Sequence, residues 1–186
     1  VVLTPKEERG IGMYNTAKKL AEDNGWFFAS QFENSANADI HESTTAREIL
    51  ADFEGAPLDY WVTGYGTGGT VTGVARALRR ERPDCKIVLS EPHNAALLGS
   101  GLAQERHADG SPTGSHPAWE PHVIQGWTPD FIPKVLQESI DREFFDEVRP
   151  VDGMQGMAMA QHLAAKEGIL TGVSGGSTLT TAIEVA

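Results

Sequence analysis

Apolar and polar positions along the chain switch between a period of about two residues and one near 3.6. Val1–Leu3, Trp26–Ala29, Leu58–Thr63, Lys86–Ser90, a run near Phe144–Val148 and Ile169–Val173 are short apolar stretches that read as strands. Helical spacing lies between them. Ile11–Asn24 has apolar residues at 13, 17 and 20 and stops on Asn24-Gly25. Ser43–Phe53 is a second helix, with Ser43 or Thr44 as its N-cap and Gly55-Ala56-Pro57 as its stop. Val71–Arg82 is a third, closing on Arg79, Arg80 and Arg82, which suits the negative end of a helix dipole. A weaker helix lies near Pro133–Ile140. Asp152-Gly153-Met154-Gln155 has the form of a capping box and opens a helix with an apolar stripe of Met154, Met157, Ala158, Leu163 and Ala164, ending at Gly168. Strands alternating with helices predict an α/β fold, mostly a parallel sheet flanked by helices. Gln31–Asp39 reads as polar and turn-rich. Residues 92–122, rich in Gly, Ser, Pro and His, break the alternation, and a loop of that length in a compact domain is functional or mobile.

Composition narrows the picture. The 186 residues suffice for one domain, or a large piece of one, with a sizeable core. A formal net charge of −11 argues against a general nucleic-acid or anionic-membrane surface, although backbone dipoles can still build a local anion site. Cys85 is the sole cysteine, which fits a reducing, cytoplasmic setting and reads as small core filler. No stretch approaches the ~18 apolar residues that mark a membrane span, and none reads as a secretory signal. Val1–Leu3 looks like a strand already under way and Ser177–Ala186 like a helix not yet stopped. A piece of a longer protein is therefore expected.

The chemistry is concentrated in the run from Asp59 to Val74. A strand ends in Gly64-Tyr65-Gly66-Thr67-Gly68-Gly69-Thr70, and a helix follows. Glycines leave amide N–H groups uncovered at a helix start, where the dipole favours an anion, and Thr67 and Thr70 add hydroxyl donors. Three readings fit this turn: a phosphate-bearing cofactor, a dinucleotide, or a plain tight turn. Gly64-x-Gly66-x-x-Gly69 matches the dinucleotide fingerprint, with Glu91 where a ribose acid would fall. Against that reading, the motif follows the third strand of the chain rather than the first. Two histidine groups, His116/Glu120/His122 and His41/Glu42, invite a metal reading; the first sits in a Pro-broken loop without helical ligand spacing, and solvated or hydrogen-bonded loop histidines are the expected reading. Ser174 lacks a Gly-x-Ser-x-Gly frame, so no hydrolase nucleophile is assigned. No metal site is expected.

Several segments together carry a more specific signal. Gly66-Thr67-Gly68-Gly69-Thr70 resembles the phosphate loop of the cysteine synthase (O-acetylserine sulfhydrylase) and cystathionine β-synthase family, pyridoxal phosphate enzymes of the tryptophan synthase β-like fold. Gln31–Asn37 with His41–Thr45, Gln125-Gly126 with Phe131-Ile132-Pro133, and Gly168–Ser177 resemble further family segments in the right order. The resemblance implies that Gly66, Thr67, Gly68, Gly69 and Thr70 hold the cofactor phosphate, that Ser174 faces the pyridine nitrogen, and that Gly126 lets backbone approach the cofactor. Gln31 and Phe32 would meet the substrate. A neutral hydroxyl at Ser174 would favour β-elimination and replacement over deeper carbanion chemistry.

The implied activity is synthesis of L-cysteine from O-acetylserine, or a similar activated serine, and sulfide. Homocysteine is the alternative nucleophile, and a dinucleotide-binding oxidoreductase or a non-catalytic binding module the alternative classes. The family's Schiff-base lysine has no counterpart among Lys6, Lys18, Lys19, Lys86, Lys134 and Lys166, so no catalytic residue is assigned and the 186 residues alone are expected to be inactive. The resemblance further implies a homodimer acting on a small amino acid and a sulfur nucleophile. It also implies a remnant of a mobile small domain over 1–35 and a larger cofactor domain over 36–186. Trp127-Thr128-Pro129-Asp130 departs from the family, which commonly has small residues there.

Overall fold

The computed structural model describes residues 1–186. Three parallel strands, β1 (Tyr60–Gly64), β2 (Lys86–Pro92) and β3 (Glu147–Val151), form a sheet in that order, with Tyr60 opposite Lys86 and Val88 opposite Glu147. The helices are α1 (Arg9–Asn24), α2 (Ala36–Ser43), α3 (Thr45–Asp52), α4 (Gly69–Glu81), α5 (Lys134–Asp141), α6 (Gly153–Glu167) and α7 (Val173–Val185). The expected α/β class with a parallel, helix-flanked sheet is what the chain forms.

The central strand shows why. Residues Ile87–Pro92 are all buried, so β2 shows no alternation of buried and exposed positions, as expected of a parallel strand covered on both faces. Ile87 and Leu89 point into a core shared with Val71, Val74, Ala75 and Leu78 of α4 and Leu136 of α5. On the opposite face, Ser90 Oγ meets Thr181 Oγ1 of α7 at 2.7 Å. Cys85 enters β2 as buried core, and burial pushes its thiol pKa up.

Two close helix contacts need the absence of a side chain. At Gly73 of α4 an added Cβ would lie 2.2 Å from the Ala38 carbonyl of α2. At Gly176 of α7 it would lie 2.0 Å from the Gly156 carbonyl of α6.

Several expected elements differ. Val1–Leu3, Trp26–Ala29 and Ile169–Gly172 form no strand. Apolar character alone does not make a strand; backbone must lie alongside to complete the ladder, and β1 and β3 close the sheet without these segments. Leu3, Phe27 and Leu170 are exposed as a result, and Val173 starts α7 instead. The polar Gln31–Asp39 segment turns helical from Ala36, where Asn34 Oδ1 accepts the Ala36 amide at 3.0 Å. Thr44 precedes α3, but its hydroxyl donates backwards to the Ile40 carbonyl, so neither it nor Ser43 caps that helix. Asp152 does cap α6, accepting from the Met154 amide at 2.8 Å. Gln155 makes no return bond, Met154 is exposed, and α6 instead buries Gly153, Gly156 and Ala160. The strand expected near Phe144–Val148 lies later, as β3, because Phe144 is taken into the core.

Arg76 of α4 gathers three carboxylates from two other helices. It grips Glu138 of α5 bidentately, Nε to Oε1 at 2.8 Å and Nη2 to Oε2 at 2.5 Å, and reaches Asp39 and Glu42 of α2. The Arg76 bond holds the Glu138 carboxyl below the usual range. Its contribution is whole above the unfolded glutamate pKa and drains away as pH falls through the lower folded value. We expect Glu138→Gln to be less stable at neutral pH and to converge with the parent in acid, as measured by urea midpoints across a pH series. Gly73→Ala should cost about 1–3 kcal/mol by overpacking, read from the same denaturation curves.

Candidate active site

The glycine turn forms at the C-terminal end of β1. Tyr65 is buried, Gly66-Thr67-Gly68 makes the bend, and α4 begins at Gly69. Gly68 takes φ +85°, and a Cβ there would lie 2.5 Å from that of Leu136. Gly66 faces the Gly126 carbonyl, 2.5 Å from where its own Cβ would be. Thr67 Oγ1 accepts the Gly69 amide at 3.2 Å, while Thr67 and Thr70 stay half-buried. The first N–H groups of a helix have no partner within it, so this turn directs donors outward.

Two residues fix the threonines. Asn37 Nδ2 donates to Thr67 Oγ1 at 2.9 Å and to the Gln31 carbonyl at 2.7 Å. His41 meets Thr70 Oγ1 through Nε2 at 3.2 Å and Thr45 Oγ1 through Nδ1 at 2.9 Å. Both lie within segments that carry the sequence resemblance, but only the fold shows them reaching the turn. The structure thus links Gln31 to the cradle through Asn37.

Phe32 is placed differently. Its ring packs at 5.1 Å from Phe131 in an aromatic cluster with Tyr14, and its carbonyl accepts the Val135 amide. Ser174 lies in the first turn of α7, a helix packed against all three strands. Gly126 takes φ +82° in a segment without regular structure.

Tyr65 ties the turn to its surroundings. Its hydroxyl donates to Glu91 Oε2 at 2.6 Å, and Glu91 also accepts the Leu98 and Gly99 amides at 3.1 and 2.8 Å. Burial raises the pKa of both groups; the Glu91 charge pushes Tyr65 further up, while the Tyr65 hydrogen bond partly offsets the rise at Glu91. Glu91 is 1% exposed with both oxygens engaged, so it presents nothing to a ribose. That removes the acidic partner of the dinucleotide reading. The Tyr65 carbonyl accepts the Thr128 amide at 2.8 Å, joining the turn to the Gly126–Asp130 segment. Trp127 lies over Gly64, where a Cβ would fall within 2.0 Å of indole carbons.

A cavity of about 630 Å³ opens beside this segment, between the start of α1 and residues 119–130. Elsewhere, His116 engages both ring nitrogens with backbone, at the Leu102 carbonyl and the Ala118 amide.

The family model described as "Pyridoxal-phosphate dependent enzyme" matches residues 1–186. The chain belongs to that family. It is 43% identical over all 186 residues to the O-ureido-L-serine synthase of Streptomyces lavendulae, spanning 51% of that protein. It is 38% identical to a Staphylococcus aureus cysteine synthase, again over its whole length and 54% of the relative. A crystal structure of O-ureido-L-serine synthase superposes with a TM-score of 0.85 over 99% of the chain and 52% of that protein. Cysteine synthase from Entamoeba histolytica, 32% identical, gives 0.76 over 96% of the chain and 47% of its own. The chain thus spans about half the length of the curated relatives it matches. The family resemblance and the cofactor it implied both stand.

In this pyridoxal phosphate family member, Asn37→Ala removes the bridge from Gln31 to Thr67. We expect faster hydrogen exchange at the amides of Gly68–Thr70, with the later turns of α4 unchanged, and a stability loss of about 1 kcal/mol. Exchange equal to the parent's would show that Asn37 does not hold the turn.

Proposed function

We propose that the protein carrying this chain replaces the leaving group of an activated serine, with O-acetylserine as electrophile and sulfide as the simplest nucleophile, giving L-cysteine. The observation that carries the reading is the bare-backbone cradle at Gly66–Thr70, oriented by Asn37 and His41. A Cβ at Gly66, Gly68 or Gly69 would run into Gly126, Leu136 or Asn37. The turn is therefore built as uncovered backbone, which suits a phosphate. On this reading residues 36–186 form the cofactor unit and 1–35 part of a smaller one.

Bound pyridoxal phosphate supplies the electron sink that acidifies an amino acid's α-proton and lets a β-leaving group depart. The chain's own residues bind and orient. Amides of the turn and the Thr67 and Thr70 hydroxyls hold the phosphate. Ser174 would face the pyridine nitrogen and offer it a hydrogen bond from a neutral hydroxyl, without transferring the proton. Gly126 admits the ring edge without a side chain, and Gln31 meets the substrate carboxylate. Phe32 braces that segment through its aromatic neighbours. In the net reaction the bond from the serine β-carbon to the acetate oxygen breaks, its electron pair leaving with acetate. A bond to the nucleophile forms, and the nucleophile's proton is released.

The relatives favour the same reading at different nucleophiles. One is named for cysteine, the other for a serine bearing a ureido group.

Thermal unfolding of the intact protein should shift upward with pyridoxal phosphate, less so in Thr67→Ala and Ser174→Ala. With O-acetylserine and sulfide the loaded protein should release acetate and form cysteine, followed by mass spectrometry. Stabilisation by NAD and not by pyridoxal phosphate would sink the proposal.

A further inference from the structure

A second cavity, of about 500 Å³, lies between residues 97–106 and α5. The β-replacement reading gives these loop residues no task. Leu98, Leu102 and Ile140 form its apolar wall, and Arg106, Gln137 and Asp141 its polar one. Leu102 is 52% exposed and the other two apolar residues are half-buried, so the apolar wall is open to an occupant. The volume falls within the roughly 300–1,000 Å³ of small-molecule sites, which pair an apolar lining with a few placed polar groups.

The polar wall holds two charges apart. Arg106 meets only neutral acceptors: the Gly110 carbonyl at 2.9 Å, the Ile132 carbonyl at 2.8 Å and Gln137 Oε1 at 2.6 Å. Its Nε donates to nothing and stays open to solvent. Burial pushes the guanidinium pKa down, and the Asp141 charge only partly offsets that. A guanidinium only donates, so Gln137 turns Oε1 to Arg106 and Nε2 to Asp141, whose Oδ1 accepts at 2.8 Å. Asp141 ends α5, where the helix dipole disfavours an anion, and the adjacent Arg142 turns to Glu138 instead. A cation and an anion, neither in an ion pair, thus stand on one wall with a single amide between them.

The wall is set before anything binds. Gln104 Oε1 accepts the Ile132 amide at 3.0 Å while Arg106 Nη2 donates to the carbonyl of the same residue. Gln104 Nε2 also donates to the Gly114 carbonyl at 3.0 Å. Arg106, Gln137 and Asp141 border a neighbouring cavity as well, but that one is lined by Arg76, Lys134 and Glu138, which offer an apolar group no place.

An α-amino acid carries both opposite charges on one carbon, with its side chain beside them. We propose that the cavity between residues 97–106 and α5 binds a free aliphatic α-amino acid of about leucine size. Its carboxylate accepts from Arg106 Nε, its ammonium donates to Asp141, and its side chain lies against Leu98, Leu102 and Ile140. A simple carboxylic acid would leave Asp141 without a partner, and a simple amine would leave Arg106 without one. The site is separate from the cradle and does not rest on the β-replacement reading. It shares α5 with the cradle, because Leu136 of that helix abuts Gly68.

The test titrates the intact protein, loaded with pyridoxal phosphate, with L-leucine and with 4-methylpentanoate, the same skeleton without the amine, by isothermal titration calorimetry. L-Leucine should bind the unaltered protein about tenfold more tightly than 4-methylpentanoate, the worth of one charge-assisted hydrogen bond. Asp141→Asn should weaken L-leucine about tenfold and leave 4-methylpentanoate within about twofold. Arg106→Gln should weaken both ligands about tenfold. Three results would overturn the proposal: no binding of L-leucine to the unaltered protein, undiminished binding to Asp141→Asn, which assigns leucine to the cofactor cradle, or an equal loss of both ligands in that variant. If Arg106→Gln disturbs the fold, Asp141→Asn decides alone, since the new amide oxygen still accepts from Gln137.

Discussion

The fold is constrained by one stretch of backbone that must remain bare. Between Gly64 and Gly69, four neighbours close on positions that carry no side chain: the Trp127 indole, the Gly126 carbonyl, Leu136 at the start of α5, and the Asn37 amide. They come from three separate parts of the chain, Gly126 and Trp127 being consecutive. A methyl group at any of these positions would displace an element, and each neighbour is in turn held elsewhere. Asn37 bonds back to Gln31, Leu136 sits in the main core, and the Trp127 segment hangs from the Tyr65 carbonyl through Thr128.

Packing and electrostatics repeat this convergence. The parallel sheet gives β2 two buried faces, so α4 and α7 press from opposite sides. Above the sheet's C-terminal end, Tyr65 and Glu91 pair directly, with only backbone amides as further partners. A charged carboxylate tolerates that burial because three donors converge on it. On the far side of α4, Arg76 joins α2 to α5 through carboxylates that remain partly wet. Only the first pair touches the turn directly; the second acts on it through α2, which carries Asn37 and His41.

Much of this was legible in the residues. Gly66–Thr70 between an apolar run and a helical pattern locates the turn, because glycine at that density has few other uses. The α4 and β2 periods fix the core. What could not be read depended on partners distant in sequence. Asn37 and His41 look like ordinary polar residues until α2 is laid beside α4. Glu91 has the right type and spacing for a ribose acid, and only its three bonds show that it is consumed internally. Val1–Leu3, Trp26–Ala29 and Ile169–Gly172 carry strand-like side chains, yet pairing belongs to two segments at once and one sequence window cannot supply it. Trp127 stands out as a departure in the sequence, whereas its seat over Gly64 required the fold.

Cys85 has a consequence of another kind. The sole thiol of the sequence is buried at the entry to β2, beneath α4, with its pKa raised by that burial. It cannot meet an alkylating reagent while helix and strand stay together. The rate at which the sulfur is capped is then a clock for parting of the core, ticking at the frequency of cooperative opening and indifferent to motions of the exposed segments around it.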